Sequence, residues 1–473
     1  MVRRVDLPFK CDYARSAGLE ARTFKGSAFK GGANGGQIGP RGATENAEVT
    51  AGGLPEKVTK KKFPLLVWSA ATRRRTPKSI IAGVAASEAI DQAPASHLND
   101  PTVKIQTAEI RHIALPLITP WRTAYGEDAA IHSVLVRLTS DGIEGWGESC
   151  PLYAPTYSPE SALSAYETCR EFFLPRIVGR EFATAADLAA CLAVFKGNPF
   201  AKAAAETAWW ALHSKRQGLP LWRMLGGAQS TTRCGQDFGV QNTIDDLLAL
   251  IGKAVDEGFP RIKLKVKRGW DIEVLEAVRG AFPAAVVHVD CNAGYDLHDD
   301  WATLKAFDRF NLAMIEQPLS DTDLIDHAEL QSRITTPVCL DESIKSPRDF
   351  RLALKLKACR VVNVKPGRVG GLFNAIQIHD LARDAGMPAW VGGMLESGVG
   401  AAICAALGTL PGFTYPADIF PSRRFYARDI TDREIQLNAR HCVELGDGVG
   451  VGFEPIPERL EAVTVAKASF PAP

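Results

Sequence analysis

Between residues 260 and 366 the chain alternates short apolar runs with longer amphipathic segments. The apolar runs lie at 262–266, 286–289, 312–315, 338–340 and 361–364. Runs this short, apolar at almost every position, predict parallel strands buried on both faces. The segments between them, 272–282, 302–310, 324–334 and 350–358, carry apolar residues at helical spacing and predict helices. A charged residue ends or closely follows each run: Lys265, Asp290, Glu316, Asp341 and Lys365, at intervals of 25, 26, 25 and 24 residues. A strand, a helix and two loops take about 25 residues when a (β/α)8 barrel of roughly 200 to 250 residues is divided by eight. Steps of the same length land on Val240 within 235–240, Trp390 within 389–393 and Tyr415 within 413–417, which completes eight strands. The units share no residue-level similarity, which argues against a solenoid. One such charge reads as a solvated loop residue, but five in register, at the strand ends that face a barrel's mouth, converge on one volume.

Regular patterning begins at Val103. Partly alternating runs at 104–115 and 131–139, then 142–148 after an Asp141-Gly142 turn signal, predict a small antiparallel sheet. Helical patterns follow at 161–174, 184–195 and 199–216. The expected organisation is an α+β capping domain over 103–232, a (β/α)8-type barrel over 233–430, and a segment 431–473, strand-like at 434–437 and 442–445, that returns to complete the capping domain. Residues 117–128, with Trp121, Arg122 and Tyr125, and 150–158, with Tyr153 and Tyr157, read as loops too long for tight turns and able to close over a ligand.

Composition changes this picture in three places. With 46% apolar residues the 473-residue chain has ample material for a core, and no apolar run approaches the roughly 18 residues of a membrane span. Ten cysteines without a CxxC pair suit reduced thiols in a cytoplasmic protein, with Cys291 and Cys339 read as packing residues. The net charge of +1 conceals a basic N-terminus, since residues 1–80 hold 16 Lys and Arg against 6 Asp and Glu. Residues 1–102 are expected to be a disordered extension. A nucleic-acid tail would call for interleaved aromatics and a transit segment for a cleavage signal; upstream sequence read through from a misassigned start codon is the expectation. The partner expected is a small-molecule carboxylate, with no nucleic acid and no membrane, and a homo-oligomer is expected.

Asp290, Glu316 and Asp341 offer an oxygen-only ligand set on three adjacent strands, which favours Mg²⁺, or Mn²⁺, over zinc. Lys263 and Lys265, two residues apart on one strand, point the same way, and parity sets Asn292 beside Asp290 and Asn363 beside Lys365. Neighbouring cations and partial burial are expected to lower a lysine's pKa toward about 7 to 8, where it accepts a proton. Lys265 and Lys365 belong to strands on opposite sides of the mouth. Such a pair suits removal of a proton α to a carboxylate, with the charge of the enediolate stabilised as it develops. Racemisation and elimination are both open. A Schiff-base aldolase using either lysine as nucleophile and a non-catalytic binding protein are the alternatives.

The motifs Arg261-Ile-Lys-Leu-Lys-Val266, Val289-Asp-Cys-Asn292, Ile315-Glu-Gln-Pro318, Leu340-Asp-Glu-Ser343 and Asn363-Val-Lys-Pro-Gly-Arg-Val-Gly-Gly371 closely resemble the enolase superfamily, in its Lys-x-Lys, muconate lactonizing enzyme-like branch. Gly392-Gly-Met-Leu-Glu-Ser-Gly398 looks like the group of o-succinylbenzoate synthases and N-acylamino acid racemases. The resemblance spans about residues 103 to 460. It implies Asp290, Glu316 and Asp341 as Mg²⁺ ligands, Lys265 as base, Lys365 as opposite acid/base or cationic stabiliser, and Lys263 as a group that tunes Lys265. It implies that the first domain caps the mouth, with Trp121 and Tyr125 near substrate, and it adds Glu342, Met394 and Glu396 to the surroundings. Dehydration to o-succinylbenzoate in menaquinone synthesis is the first expectation and N-acylamino acid racemisation the second, followed by dipeptide epimerisation and cycloisomerisation.

Overall fold

The computed structural model describes residues 102–123 and 126–471. The extension expected over 1–102, except Thr102, and the site residue Tyr125 lie outside them.

Seven parallel strands follow one another in chain order: Gln236–Phe238, Ile262–Lys265, Val287–Asp290, Ile315–Glu316, Val338–Leu340, Val361–Val364 and Ala389–Val391, here called barrel strands 1 to 7. Residues 413–418 close the ring. Phe413 bridges in parallel to Ala389 and Ala417 to Cys234, while Asp418 N donates to Val391 O and Gly235 N to Ala417 O, both at 3.0 Å. The fold is therefore a (β/α)8-type barrel. Every residue of strands 2, 3 and 6 is buried, which is why these strands read as continuous apolar runs broken only by functional residues. Strand pairing sets Lys265 opposite Asp290 and Asp290 opposite Glu316, so those three side chains share one layer.

The outer helices begin where side chains satisfy the first free N–H groups. Thr243, Asp323, Ser346 and Ser397 each accept from a backbone N–H of the first turn. Leu247, Ile251 and Ala254, at i, i+4 and i+7, turn the first barrel helix, Ile244–Asp256, onto the strands.

The capping domain is a four-stranded antiparallel sheet in the order Thr464–Phe470, Thr107–Thr123, Gly126–Ser140, Ile143–Ser149. Its first strand in that order comes from the far end of the chain, so the C-terminal segment completes this domain. Helix Pro199–Arg216 lies against Ile143–Ser149 so closely that a Cβ at Gly145 or Gly147 would stand 2.2 Å from the backbone N of Leu212 or Ala208. Ile110, Val134, Val136 and Leu138 from the sheet meet Phe173 and Trp209 in the core.

Two expectations need correction. Residues 117–123 and 126–128 belong to strands and not to a loop: the sheet ladder resumes at Trp121–Asp128 and runs to Thr123–Gly126 after a register shift between Pro116 and Trp121. Pro116 and Pro120 disturb the alternation there, which hides the strand in the sequence. The strand expected at 434–437 reduces to a single bridge between Leu437 and Val443, and Cys442–Glu444 pairs with Thr231–Arg233 below the barrel, away from the capping sheet.

Candidate active site

Lys263 is ringed by three carboxylates. Its Nζ lies 3.0 Å from Asp290 Oδ2, 2.9 Å from Glu316 Oε2 and 2.8 Å from Asp418 Oδ2. Burial works against its charge, but Asp290, Asp418 and Glu316 outweigh it and hold the ammonium well above the ordinary lysine range. Burial likewise works against ionisation of Asp290, and Lys263 and Lys265 hold that carboxyl far below its usual range. Buried charges of this kind persist because each has an oppositely charged partner within about 3 Å.

Lys265 donates to Asp290 Oδ2 at 2.7 Å and to Asn292 Oδ1 at 2.8 Å. Lys365, just past strand 6, donates to Asp341 Oδ2 at 2.9 Å, has Met394 Sδ at 3.5 Å and sits 4.6 Å from the centre of the Tyr157 ring. Burial lowers its pKa, yet Tyr157 and the carboxylates beyond it leave the ammonium raised. For Lys263 and Lys365 the expectation that neighbouring cations depress a lysine is therefore reversed: the acidic groups around them outweigh burial and the cations.

These lysines, with Trp121, Tyr157 and Met394, line one cavity of about 40 Å³. Strands 2 and 6 are four apart in a ring of eight, so Lys265 and Lys365 enter it from opposite walls. Trp121 also walls a cavity of about 550 Å³ on its other side, beside Arg122 and Arg424. Asn363 Nδ2 donates to Glu316 Oε1 at 2.7 Å, and Asn292 Nδ2 to Glu342 Oε1 at 3.0 Å. Burial and the nearby Asp290 push the Glu342 carboxyl up to about 7. Glu396 stands behind the cavity, where its Oε2 accepts from Met394 N at 2.9 Å, and burial pushes it up to about 7.

Arg368, Arg261 and His288, given no role from the sequence, complete the cluster together with Tyr157 of the expected closing loop. Arg368 forms an ion pair with Asp341 Oδ1 and donates to Ile344 O at 2.8 Å. Tyr157 OH donates to Asp341 Oδ1 at 2.9 Å. Arg261 Nη2 holds Asp418 Oδ1 at 2.5 Å. His288, its pKa lowered to about 4 chiefly by burial, places Nε2 3.4 Å from Glu316 Oε2 and Nδ1 3.0 Å from Tyr415 OH. Arg261 and Arg368 stand inside the motifs quoted above. Asp418 lies three residues past the Tyr415 reached by the 25-residue step, because the closing strand runs to Asp418. Cys291 and Cys339 are buried, and Trp390 Nε1 donates to Cys339 Sγ at 3.4 Å, as packing residues do.

The donor set fits a hard divalent cation. Asp290, Glu316 and Asp341 supply only carboxylate oxygens, all fully buried, and each already faces positive charge within 3.0 Å. In their present rotamers these side chains are turned to lysine and arginine, and among the described residues no three His, Cys, Asp or Glu side chains stand together at ligating distance.

Comparison with known proteins identifies the family. Residues 105–226 match the family description "Mandelate racemase / muconate lactonizing enzyme, N-terminal domain" and residues 246–459 match "Enolase C-terminal domain-like". An N-succinylamino acid racemase of Thermus thermophilus is 42% identical over 361 residues, 76% of this chain and 97% of the relative. An o-succinylbenzoate synthase of Geobacillus kaustophilus is 40% identical over 363 residues, 76% and 96% of the two chains. A crystal structure from Listeria innocua, described as a member of the enolase superfamily, superposes with a TM-score of 0.75 at 34% identity, covering 78% of this chain and all of the other.

Proposed function

Because the chain belongs to the enolase superfamily and is an enzyme of the lyase or racemase kind, we propose that it abstracts a proton α to the carboxylate of a succinyl-bearing substrate, with dehydration to o-succinylbenzoate as its reaction. What supports the reading is the pair of amines, Lys265 and Lys365, lining one cavity from strands 2 and 6. Asp290, Glu316 and Asp341 would hold Mg²⁺. When bound, the ion supplies positive charge beside the substrate carboxylate and takes up carboxylate charge that otherwise falls on the lysines.

Lys265 Nζ takes the α-proton, and the electron pair of the broken C–H bond moves into the substrate carboxylate. Lys263 stays protonated under its carboxylates and adds fixed positive charge beneath the enediolate. In the dehydration the electron pair of the enediolate forms the new C=C bond as the C–O bond breaks, and the leaving hydroxyl takes a proton from an ammonium and departs as water. Racemisation of an N-succinyl amino acid is the second reading, favoured by Lys365: a proton removed on one face and returned on the other inverts the centre.

A panel of the o-succinylbenzoate precursor, N-succinyl amino acids and dipeptides, each with Mg²⁺, tests this. Turnover is expected with the first two, with loss on chelation and recovery on adding Mg²⁺. Lys265→Ala is expected to lower kcat by about 10²- to 10⁴-fold, the usual contribution of a general base. Full activity in that variant, or a borohydride-trapped substrate adduct on a lysine, would overturn the proposal.

A further inference from the structure

We propose that Glu342 is a positioning residue that aims Lys265 through the side chain of Asn292. The inference rests on the function proposed above. Asn292 occupies a left-handed backbone conformation, φ +43°, one that asparagine adopts more readily than most residues. Its N–H donates to Asp290 Oδ1 at 3.0 Å, which fixes the turn that folds the side chain back over the strand end. An amide presents a different group at each end, so its orientation decides whether it attracts or repels an ammonium. Asn292 Oδ1 accepts from Lys265 Nζ at 2.8 Å, and Nδ2 donates to Glu342 Oε1 at 3.0 Å. With Oε1 as the acceptor for Nδ2, Glu342 holds the orientation in which the amide oxygen faces the lysine. Without that acceptor a half-turn of the amide would bring its NH₂ against the lysine amine.

Lys365 has no such arm. It is held by Asp341, Met394 and the face of Tyr157. Glu342 acts on Lys365 through charge, so loss of its hydrogen bond to Asn292 should be felt chiefly on the face that Lys265 serves. A residue that merely fills space would affect both faces.

The experiment follows α-proton exchange in D₂O with Mg²⁺ for the two enantiomers of an N-succinyl amino acid, one at a time. Lys265→Ala identifies which enantiomer that lysine serves. Glu342→Leu is expected to slow exchange of that enantiomer by about 10- to 100-fold, the usual cost of removing a partner that orients an active group, with KM unchanged and the other enantiomer little affected. Glu342→Gln keeps an acceptor for Asn292 Nδ2 and is expected to restore the rate. Equal slowing of both enantiomers, or failure of the Gln variant to recover, would overturn the inference. If the wild-type enzyme exchanges neither enantiomer, the racemisation reading falls, and the crystal structure of Glu342→Leu then decides the positioning claim. Asn292 turned away from Lys265 supports it, and an unchanged 2.8 Å contact contradicts it.

Discussion

Each amine of the mouth is fixed by a different kind of partner. Carboxylates surround Lys263, an amide and a carboxylate hold Lys265, and a carboxylate, a thioether and an aromatic face hold Lys365. Room for Lys365 comes from Gly392. A Cβ there would stand 2.2 Å from Asn363 Oδ1 and 2.7 Å from Lys365 Cε, closer than packed atoms tolerate. Gly392→Ala is expected to displace both side chains and lower kcat by about tenfold or more, since about 1.4 kcal/mol of lost alignment is a factor of ten, while the circular dichroism spectrum stays that of the wild type. Unchanged kinetics would mean that Lys365 has slack the structure does not suggest. The charged residues at strand ends were legible in the sequence because the barrel's period puts them in register. Arg368 and Asp418 were not assigned roles, because what defines them is a partner far along the chain, Asp341 for one and Lys263 for the other, and local pattern does not encode that pairing.

At the scale of elements, two buried carboxylates of the capping domain reach the starts of barrel helices. Glu148 accepts from Ser397 N at 3.1 Å and Gly400 N at 2.9 Å, at the head of helix Gly398–Gly408. Glu206 accepts from Leu372 N and Phe373 N, both at 2.8 Å, at the head of helix Leu372–Asp384. A helix start favours negative charge and free acceptors, so these contacts tie the cap to the barrel. Glu206→Ala leaves two buried N–H groups without that acceptor, at about 1 to 3 kcal/mol for an unsatisfied group. A urea midpoint lower than wild type is expected, and an unchanged one would mean that water or a neighbour replaces the carboxylate. The capping sheet also carries a pH signature. His112 is lowered to about 4 by burial first and then by His132, whose ring nitrogen is 2.9 Å away. The unfolded chain takes up this proton near pH 6.5 and the folded chain only near 4, so the contribution is intact above 6.5 and lost as pH falls between the two. His112→Asn is expected to flatten the fall in urea midpoint between pH 6.5 and 4.5 relative to wild type, and an identical fall in both would contradict the assignment.

For the molecule as a whole, the ring was readable because a buried parallel strand leaves an apolar run and the 25-residue interval counts the units. The strand pair Thr107–Thr123 and Gly126–Ser140 was readable only in part, since two prolines and a register shift break its alternation. Long-range closure was anticipated for the C-terminal segment, yet of its two strands only Thr464–Phe470 reaches the capping sheet. Two amines acting from opposite walls of one cavity are the core of the proposed mechanism. The most direct test is the rate of deuterium incorporation into each enantiomer of an N-succinyl amino acid by the Lys265→Ala and Lys365→Ala enzymes with Mg²⁺. Each variant is predicted to lose exchange of one enantiomer, a different one in the two cases. Loss of the same enantiomer in both, or undiminished exchange of both enantiomers in Lys265→Ala, would contradict it.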